Sequence, residues 1–209
     1  MKIIVTGCTG LVGSALVRQC IASDTISHIL ALSRKSLPDD IAKHAKVTTI
    51  LHADFSTYPL ELLAQLAGAE DTETYRKVQV DYTLAAARAF LENLAPGLPE
   101  GKPFRFVFCS GKFAEWDQQK ALHFMADTRR GQVEKGLCDI ADEDQASQRF
   151  VVYCARPSGI LPADAGFAAR MTGKLYGSID ANRLARALIR ILVEGDKERI
   201  VENDRLLSL

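Results

Sequence analysis

Three glycines at a fixed spacing form the strongest chemical pattern in this sequence. Gly7, Gly10 and Gly13 lie within IIVTGCTGLVG, directly after a β-branched run and directly before a helical pattern. There the first glycine allows a tight turn, the second lets the backbone approach a pyrophosphate, and the third lets helix and strand pack closely. The N–H groups and dipole of the helix start then face the phosphates. The residues predicted to contact this dinucleotide are Thr6, Gly7, Thr9, Gly10, Leu11, Val12 and Gly13.

The residues that end the second apolar run indicate which dinucleotide is bound. HILALS ends in Ser33 and is followed by Arg34 and Lys35, where an Asp or Glu would hold a free ribose 2′-hydroxyl. A guanidinium can instead bind a 2′-phosphate and stack on adenine. The sequence therefore favours NADP(H) over NAD(H), and the alternative is that Arg34 and Lys35 are ordinary loop charges.

Short β-branched or aromatic runs alternate with longer segments of helical periodicity. The predicted strands are Ile3–Thr6, His28–Ser33, Lys46–His52, Phe104–Cys109, Phe150–Ala155 and Arg199–Glu202. The predicted helices are Leu11–Ala22, Tyr58–Ala67, Thr74–Leu94 and Asn182–Val193. This alternation predicts an α/β fold with a doubly wound, mainly parallel sheet of Rossmann type. We expect a single domain over residues 1–209, in which residues 157–209 add a small substrate-side portion.

Composition excludes several function classes. The 209 residues carry 26 basic and 26 acidic side chains, so the zero net charge gives no electrostatic basis for binding nucleic acid or an anionic membrane. The apolar run at the N-terminus is too short for a signal peptide or a membrane span. The five cysteines form no CxxC and the four histidines no metal-ligand pair, so we expect no disulfide framework, no metal site and a cytoplasmic protein.

Several motifs together resemble those of the extended and atypical short-chain dehydrogenase/reductase superfamily. They are TGxxGxxG, ADF at 53–55, FCSG at 108–111, ARPSGIL at 155–161 and IDANRLARALIRIL near the C-terminus. The whole chain looks most like small NmrA-like NAD(P)-binding Rossmann proteins of a type common in fungi. The resemblance implies that Asp54 and Phe55 lie against adenine, although Asp54 as a turn cap stays open. It also implies that Arg156 and Pro157 lie near the nicotinamide.

The same resemblance implies a Ser that orients a substrate carbonyl, a Tyr that transfers the proton, and a Lys four residues after that Tyr. Ser110 matches the Ser, but FMADTRRGQVEKG places Ala126 and Arg130 at the Tyr and Lys positions. None of the five tyrosines is followed four residues later by Lys. Arg130 can bind a ribose or phosphate but cannot shuttle a proton near neutral pH.

Another proton donor is therefore needed if the chain is a reductase. His123 is the most capable candidate near neutral pH, and Asp127 and Lys112 are alternatives. Our candidate catalytic residues are Ser110, His123 and Arg130.

A buried strand that the resemblance implies has no counterpart in the sequence. It should follow Ala69–Glu70, yet no apolar run of suitable length lies there. Either a segment is absent from this sequence, or Lys77–Tyr82 forms the strand, or the sheet lacks it. We favour the first, because a missing central strand would leave buried backbone groups unpaired, at about 1–3 kcal/mol each.

Three functions remain open on these grounds. The first is an NADP-dependent oxidoreductase for a small carbonyl or alcohol, which works without the Tyr and Lys pair. The second is a catalytically silent, NmrA-like dinucleotide sensor. The third is a cofactor-independent isomerase or cyclase on the same scaffold, since fold does not settle function. We favour the first, with a small-molecule substrate; a homodimer stays open.

Overall fold

The computed structural model describes residues 1–55, 57–59, 62, 81–117, 128–144 and 147–209. Its elements in chain order are β1 (Lys2–Thr6), α1 (Leu11–Ala22), β2 (His28–Ser33), α2 (Asp39–Ala42), β3 (Val47–Leu51), α3 (Asp81–Asn93), a 3-10 turn (Ala95–Gly97), β4 (Phe104–Cys109), α4 (Thr128–Glu143), β5 (Phe150–Arg156), β6 (Ile160–Leu161), α5 (Phe167–Leu175), β7 (Ile179–Asp180), α6 (Ala181–Glu194), β8 (Ile200–Glu202) and α7 (Asn203–Ser208).

The predicted α/β class with parallel sheets is confirmed. One sheet has the order β1-β2-β3 and another the order β4-β5-β8, and the pairings β1–β2, β2–β3 and β4–β5 are parallel. The chain divides into two compact units. The first comprises Met1–Asp54, Pro157–Glu194 and Glu202–Leu209, and the second comprises Phe55–Arg156 and Gly195–Val201. The single-domain organisation therefore stays a prediction.

In the first unit, the sheet β1-β2-β3 is buried under α1 and α2. The register pairs Thr6 with Leu32 and Ser33 with Leu51, so the carboxyl ends of all three strands lie at one edge. α6 packs on α1 through small side chains, because Ala181 and Ala185 contact Ala15 in a buried cluster. The main core of this unit consists of Ile3, Val5, Cys8, Val17, Cys20, Ile26, Ile29, Ala31, Leu37, Ile41 and Val47.

In the second unit, α3 and α4 accompany the sheet β4-β5-β8. An aromatic cluster fills the space beside β4, in which Phe90 of α3 contacts Phe104 and Phe106 at ring-centroid distances of 5.5 and 6.3 Å. Phe150 of β5 stacks on Phe104 at 5.6 Å. These large apolar side chains explain why the FRFVFC run forms a strand with α3 against it.

Most predicted elements agree with the observed ones to within a residue or two. Corrections are small: β3 is shorter than Lys46–His52, β5 extends one residue past Ala155, and β8 begins at Ile200. The short elements α2, β6, α5, β7 and α7 were not expected. The helix predicted over Tyr58–Ala67 lies mostly outside the described residues, as do residues 74–80 of the helix predicted over Thr74–Leu94.

Residues 63–80 lie outside the described part of the chain, so all three interpretations of the missing strand stay open. Among the described strands, none pairs with β1 on the side opposite β2. No helix within the described ranges is both long and apolar enough to cross a membrane.

Candidate functional site

The turn between β1 and α1 has the geometry that the glycine spacing predicts. Gly7 adopts φ +67°, the left-handed conformation that glycine tolerates best, and the Gly10 N–H donates to its carbonyl oxygen at 2.9 Å. A methyl group added at Gly13 would lie 2.1 Å from the same oxygen, so only glycine lets α1 pack this closely against the turn. The turn therefore requires glycine at position 7 for its backbone conformation and at position 13 for lack of space.

The N-terminus of α1 is open and has no acidic neighbour in its first turn. Gly10 is the N-cap residue and provides no side-chain cap, and Leu11 is 45% exposed. The first N–H groups of any α-helix lack intrahelical partners and carry the positive end of its dipole. This end of α1 can therefore receive an anionic group. The seven residues of the glycine motif that were predicted to contact a dinucleotide run from the end of β1 through this turn to the first turn of α1, and their roles stay predictions.

The basic end of β2 lies beside this turn in the first unit. Because β1 and β2 are parallel with Thr6 opposite Leu32, the chain leaves both strands at the same edge. Ser33 is buried, and its Oγ accepts from the Lys35 backbone N–H at 3.3 Å. Arg34 and Lys35 are exposed. The structure thus brings together the two sequence features that predicted an NADP(H) site.

Neighbouring acids do not neutralise Arg34 within the described residues. Asp40 pairs with Arg18 at 2.7 Å and Asp39 pairs with Lys43 at 2.5 Å, so both carboxylates of α2 already have cationic partners. The Arg18 side chain also holds the pKa of Asp40 below its ordinary value, chiefly through this hydrogen bond. No ion pair joins Arg34 to a carboxylate in the described chain, which leaves its charge available for an external anion.

Asp54 and Phe55, which follow β3, belong to different compact units. Asp54 is exposed and belongs to the first unit. Phe55 begins the second unit, where its ring contacts Tyr58 and Tyr82 at centroid distances of 6.4 Å in both cases. The Phe55 ring is thus part of an aromatic cluster. Contact of Asp54 or Phe55 with adenine stays a prediction.

Ser110 and Arg130 come together in the second unit. Ser110 follows β4, and its side chain is buried with an Oγ that has no hydrogen-bond partner in the described chain. Arg130, in the first turn of α4, donates from Nη1 to the Ser110 carbonyl oxygen at 3.1 Å. A methyl group at Gly111 would lie 2.2 Å from that Nη1, so Gly111 makes room for the guanidinium. The structure therefore brings these two candidate residues together, and their catalytic roles stay predictions.

Glu134 is a buried residue at this site that the sequence reading missed. It lies one turn after Arg130 on α4 and is fully buried. Its carboxylate accepts from Arg156 Nε at 3.0 and 3.2 Å and from Arg156 Nη2 at 2.5 Å. It also accepts from Trp116 Nε1 at 2.7 Å. The Glu in RGQVEKG was the available signal, but its partner is 22 residues away.

Arg156 and Pro157 have structural surroundings of different kinds. The Arg156 side chain is 17% exposed and its guanidinium is bound to Glu134, so any contact with a cofactor would be additional to that pair. Pro157 is buried and starts the next part of the first unit. The following residue is held by Asn203, whose side chain accepts from the Ser158 N–H at 2.8 Å and donates to the Gly177 carbonyl at 3.0 Å. Asn203 was not predicted.

Only one of the other candidate proton donors, Lys112, lies within the described residues. His123, Ala126 and Asp127 lie outside the described residues. Lys112 is exposed, directly after Gly111. Within the described part of the chain, no group of three or more metal-ligating side chains is positioned to hold a metal ion.

Two solved structures have folds similar to that of this chain. The yeast methylglyoxal/isovaleraldehyde reductase Gre2, solved with NADPH, matches 96% of this chain and 75% of its own, with a TM-score of 0.63 at 14% identity. A short-chain dehydrogenase/reductase from Mycobacterium ulcerans matches 99% of this chain and 90% of its own, also with a TM-score of 0.63 at 14% identity. This chain thus shares the Rossmann-type α/β fold of these two proteins. At this identity the likeness establishes the fold alone.

Sequence comparison finds one relative among characterised proteins. The leucinostatins biosynthesis cluster protein T of Purpureocillium lilacinum is 28% identical over 185 residues, which are 76% of this chain. The match spans 64% of the length of that relative. No family model matches the sequence.

Proposed function

We propose that this chain binds NADP(H) and is an oxidoreductase for a small carbonyl or alcohol substrate. The observation that carries the proposal is Gly10. Gly7 and Gly13 are needed by the fold, but Gly10 has φ −84° and ψ 170°, which suit any residue. A methyl group there would meet only the Gly7 oxygen, at 3.4 Å. A glycine without a structural reason, at an uncapped helix N-terminus, fits the close approach of a pyrophosphate.

The preference for the phosphorylated dinucleotide rests on the end of β2. Arg34 occupies the position at which a ribose 2′-substituent is bound in this fold, and the adjacent carboxylates of α2 have other partners. A guanidinium binds a phosphate through two parallel N–H donors, whereas a ribose hydroxyl gains little from it. Lys35 adds a second positive charge at the same place.

In the second unit, Ser110 and Arg130 supply groups that suit carbonyl reduction. Bound NADPH would supply the hydride. The buried Ser110 hydroxyl, which has no partner in the described residues, would donate a hydrogen bond to the substrate oxygen. Arg130, held by the Ser110 carbonyl, would stabilise negative charge on that oxygen. Because the guanidinium stays charged, the proton must come from another group, for which we propose His123.

A second candidate function is an NmrA-like dinucleotide sensor without redox turnover. The observation that favours it is the sequence itself, in which no tyrosine is followed four residues later by a lysine. A sensor would share the NADP(H) site of the first unit and differ only in the chemistry of the second. The two functions are therefore separated by turnover and not by binding.

The first experiment is a calorimetric titration of the purified chain with NADPH and with NADH. We expect NADPH to bind at least about tenfold more tightly, a difference of about 1.4 kcal/mol. Gly10→Ala should fold normally and lose binding. Gly97→Ala is its matched control, since a methyl group at this exposed glycine meets nothing within 4 Å. Equal affinity of Gly10→Ala and wild type would refute the site.

The 2′-phosphate contact has its own test. Arg34→Ala should weaken NADPH binding about tenfold or more while NADH binding changes little, because only NADPH carries the additional phosphate. Arg186→Ala, which removes another exposed arginine on α6, is the control. If the variant weakens both dinucleotides equally, Arg34 does not select between them.

Turnover distinguishes the two functions once binding is established. NADPH oxidation is followed with a panel of small aldehydes and ketones, in the wild type and in Ser110→Ala. Oxidation that Ser110→Ala abolishes supports the oxidoreductase. Tight binding without turnover on any carbonyl supports the sensor, and turnover that needs no dinucleotide would support an isomerase or cyclase instead.

A further inference from the structure

Two of the five cysteines contact each other. Cys138 lies on α4 and Cys154 on β5, both are buried free thiols, and their side chains are hydrogen-bonded to one another. No sequence motif predicts this pair, because the two cysteines lie in separate segments. Free buried cysteines usually act as small apolar side chains, so a thiol–thiol contact between a helix and a strand needs a separate explanation.

The packing of α4 on β5 fixes this contact independently of the thiols. Glu134 and Arg156 form a tight ion pair between the same two elements. Cys138 lies one helical turn after Glu134, and Cys154 lies two residues before Arg156 on the same face of its strand. The Glu134–Arg156 pair therefore sets the register that places the two sulfurs side by side.

A second ion pair holds the register on the other side of the thiols. Asp142, one further turn along α4, binds Arg199 with Oδ1 2.6 Å from Nη1. The Arg199 carbonyl oxygen accepts from the Cys154 backbone N–H at 2.7 Å. The two cysteines are thus enclosed between two ion pairs that join α4 to the strands. We call Arg130, Glu134, Cys138 and Asp142 the contact face of α4.

The two thiols differ in acidity. The hydrogen bond from Cys154 lowers the pKa of Cys138 to about 7 against the opposing effect of burial, and the Arg199 guanidinium lowers it further while Asp142 opposes it. The same hydrogen bond, with burial, raises the pKa of Cys154. Of the two thiols, Cys138 is therefore the one that gives up its proton more readily.

The remaining buried thiols provide the contrast. Burial raises the pKa of Cys8 to about 11 and that of Cys20 to about 12, so neither is a nucleophile near neutral pH. Burial also raises the pKa of Cys109, against the influence of Arg130. Of these five cysteines, only Cys138 combines a lowered pKa with a second thiol in contact, the arrangement of a nucleophilic and a resolving cysteine.

We propose that Cys138 and Cys154 form a reversible disulfide when the protein meets hydrogen peroxide. The Cys138 thiolate attacks a peroxide oxygen, the O–O bond breaks, and the released hydroxide is protonated to water, which leaves a sulfenic acid. The Cys154 sulfur then attacks the sulfenic sulfur and the S–O bond breaks, while the departing hydroxide takes the Cys154 proton and leaves as water. The two thiols lose two electrons and the peroxide gains them.

This modification would tie α4 to β5 by a covalent bond. The sulfurs must close from hydrogen-bond contact to a bond of about 2.05 Å, which draws the helix toward the strand one turn from Glu134. Because Trp116 donates a hydrogen bond to Glu134, that movement of the helix would also affect the Trp116 side chain. The proposal does not depend on the function proposed above, since it uses groups of the second unit alone.

The test treats the full chain with hydrogen peroxide, blocks remaining thiols with iodoacetamide, and maps the peptides by mass spectrometry. We expect one peptide pair joined through Cys138 and Cys154, lighter by two hydrogens and released by dithiothreitol. In Cys154→Ser the sulfenic acid at Cys138 should persist and react with dimedone. Cys20→Ser, which removes another buried thiol, should still form the disulfide.

The peptide map of the wild-type chain is sufficient to overturn the proposal, even if a variant fails to fold. A Cys138 that is alkylated without loss after peroxide treatment contradicts it, provided that a free model thiol is oxidised in the same sample. A crosslink through any other cysteine pair contradicts it too, as does a wild-type chain that ends as sulfenic or sulfinic acid without a crosslink.

Discussion

Gly10 and Gly13 lie three residues apart in the same turn, yet a side chain would meet opposite conditions at the two positions. Next to Gly10 there is room for a methyl group, whereas at Gly13 the backbone of Gly7 and Cys8 already fills the space. One glycine is thus explained by the fold, and the other is explained best by a ligand. In any glycine motif of known backbone structure, each glycine can be assigned in this way either to the fold or to a ligand.

Gly13→Ala should destabilise the chain whether or not a dinucleotide is present. Its methyl group would lie 2.1 Å from the Gly7 oxygen, so the turn or α1 must shift. We expect a loss of about 3 kcal/mol in the free energy of unfolding, at the upper end of the overpacking range. Urea unfolding with Gly97→Ala as the control measures it. An unchanged midpoint would show that the turn can relax without cost.

Glu134 is the second residue with a testable energetic role. Glu134→Ala would remove this carboxylate from the largely buried Arg156 guanidinium, which should cost about 3 kcal/mol, the lower end of the range for a broken buried pair. It would also remove the acceptor of the Trp116 indole N–H, so the fluorescence of the single tryptophan should change. Urea unfolding and the emission spectrum measure the two effects together.

Glu143→Ala is the matched control on the same helix. Glu143 binds Arg88 in a bidentate pair at 3.0 Å, but both side chains are about half exposed. Solvent screening should limit the loss to about 1 kcal/mol or less. If the two variants are equally stable, burial is not what gives the Glu134 pair its strength.

At the scale of elements, the connection from α4 to β5 depends on one carboxylate. Asp144, directly after α4, accepts hydrogen bonds from the Ser147 hydroxyl and from the Arg149 and Phe150 N–H groups, the latter two at 2.9 and 3.1 Å. These bonds, that of Ser147 first, hold the pKa of Asp144 below its ordinary value. The turn therefore joins helix and strand through a charged acceptor.

A lowered carboxyl pKa gives a defined pH dependence. The stabilisation by Asp144 is fully present above its unfolded-state pKa and is lost as the pH falls through the lower folded-state pKa. Asp144→Asn should therefore cost about 1 kcal/mol at neutral pH and progressively less below about pH 4. Unfolding in urea at several pH values tests this. A difference that stays constant into acid would assign the effect to shape and not to charge.

The helices and strands also show how much of the fold could be predicted from the sequence. β1, β2, β4 and β5 were predictable because each is a compact β-branched or aromatic run, and α1 and α6 because their apolar spacing is regular. α4 was not among the predicted helices, since Gly131 and Gly136 interrupt its helical pattern. A methyl group at Gly131 would lie 1.7 Å from the Glu115 oxygen, so this glycine serves tertiary packing that no local pattern reveals.

The candidate site was predictable to the extent that it is local in sequence. The glycine turn and the basic end of β2 each lie within a few consecutive residues. Glu134 with Arg156, and Cys138 with Cys154, are pairs between distant segments, and neither partner is unusual by itself. Their pairing follows from the register of α4 on β5, which is a property of packing and not of any short motif.

At the scale of the whole molecule, the predicted single domain can be tested by unfolding. Trp116 reports on the second unit, whereas far-ultraviolet circular dichroism reports on helices of both units. If residues 1–209 form one cooperative domain, the two signals should change at the same urea concentration. Two separate midpoints would show that the compact units unfold independently. Reducing agent keeps the thiols in one state during both measurements.

The contact face of α4 also constrains how this protein can diverge. Its four members lie four residues apart and contact four different partners in or next to the strands. Each contact therefore requires a regular helix between it and the contact before. Losing one residue between Arg130 and Asp142 would rotate all later positions by about 100°. A single substitution on this face removes one contact, whereas a change of length removes several at once. In descendants of this gene, insertions and deletions should therefore be excluded from α4 and collect in the turns that follow it.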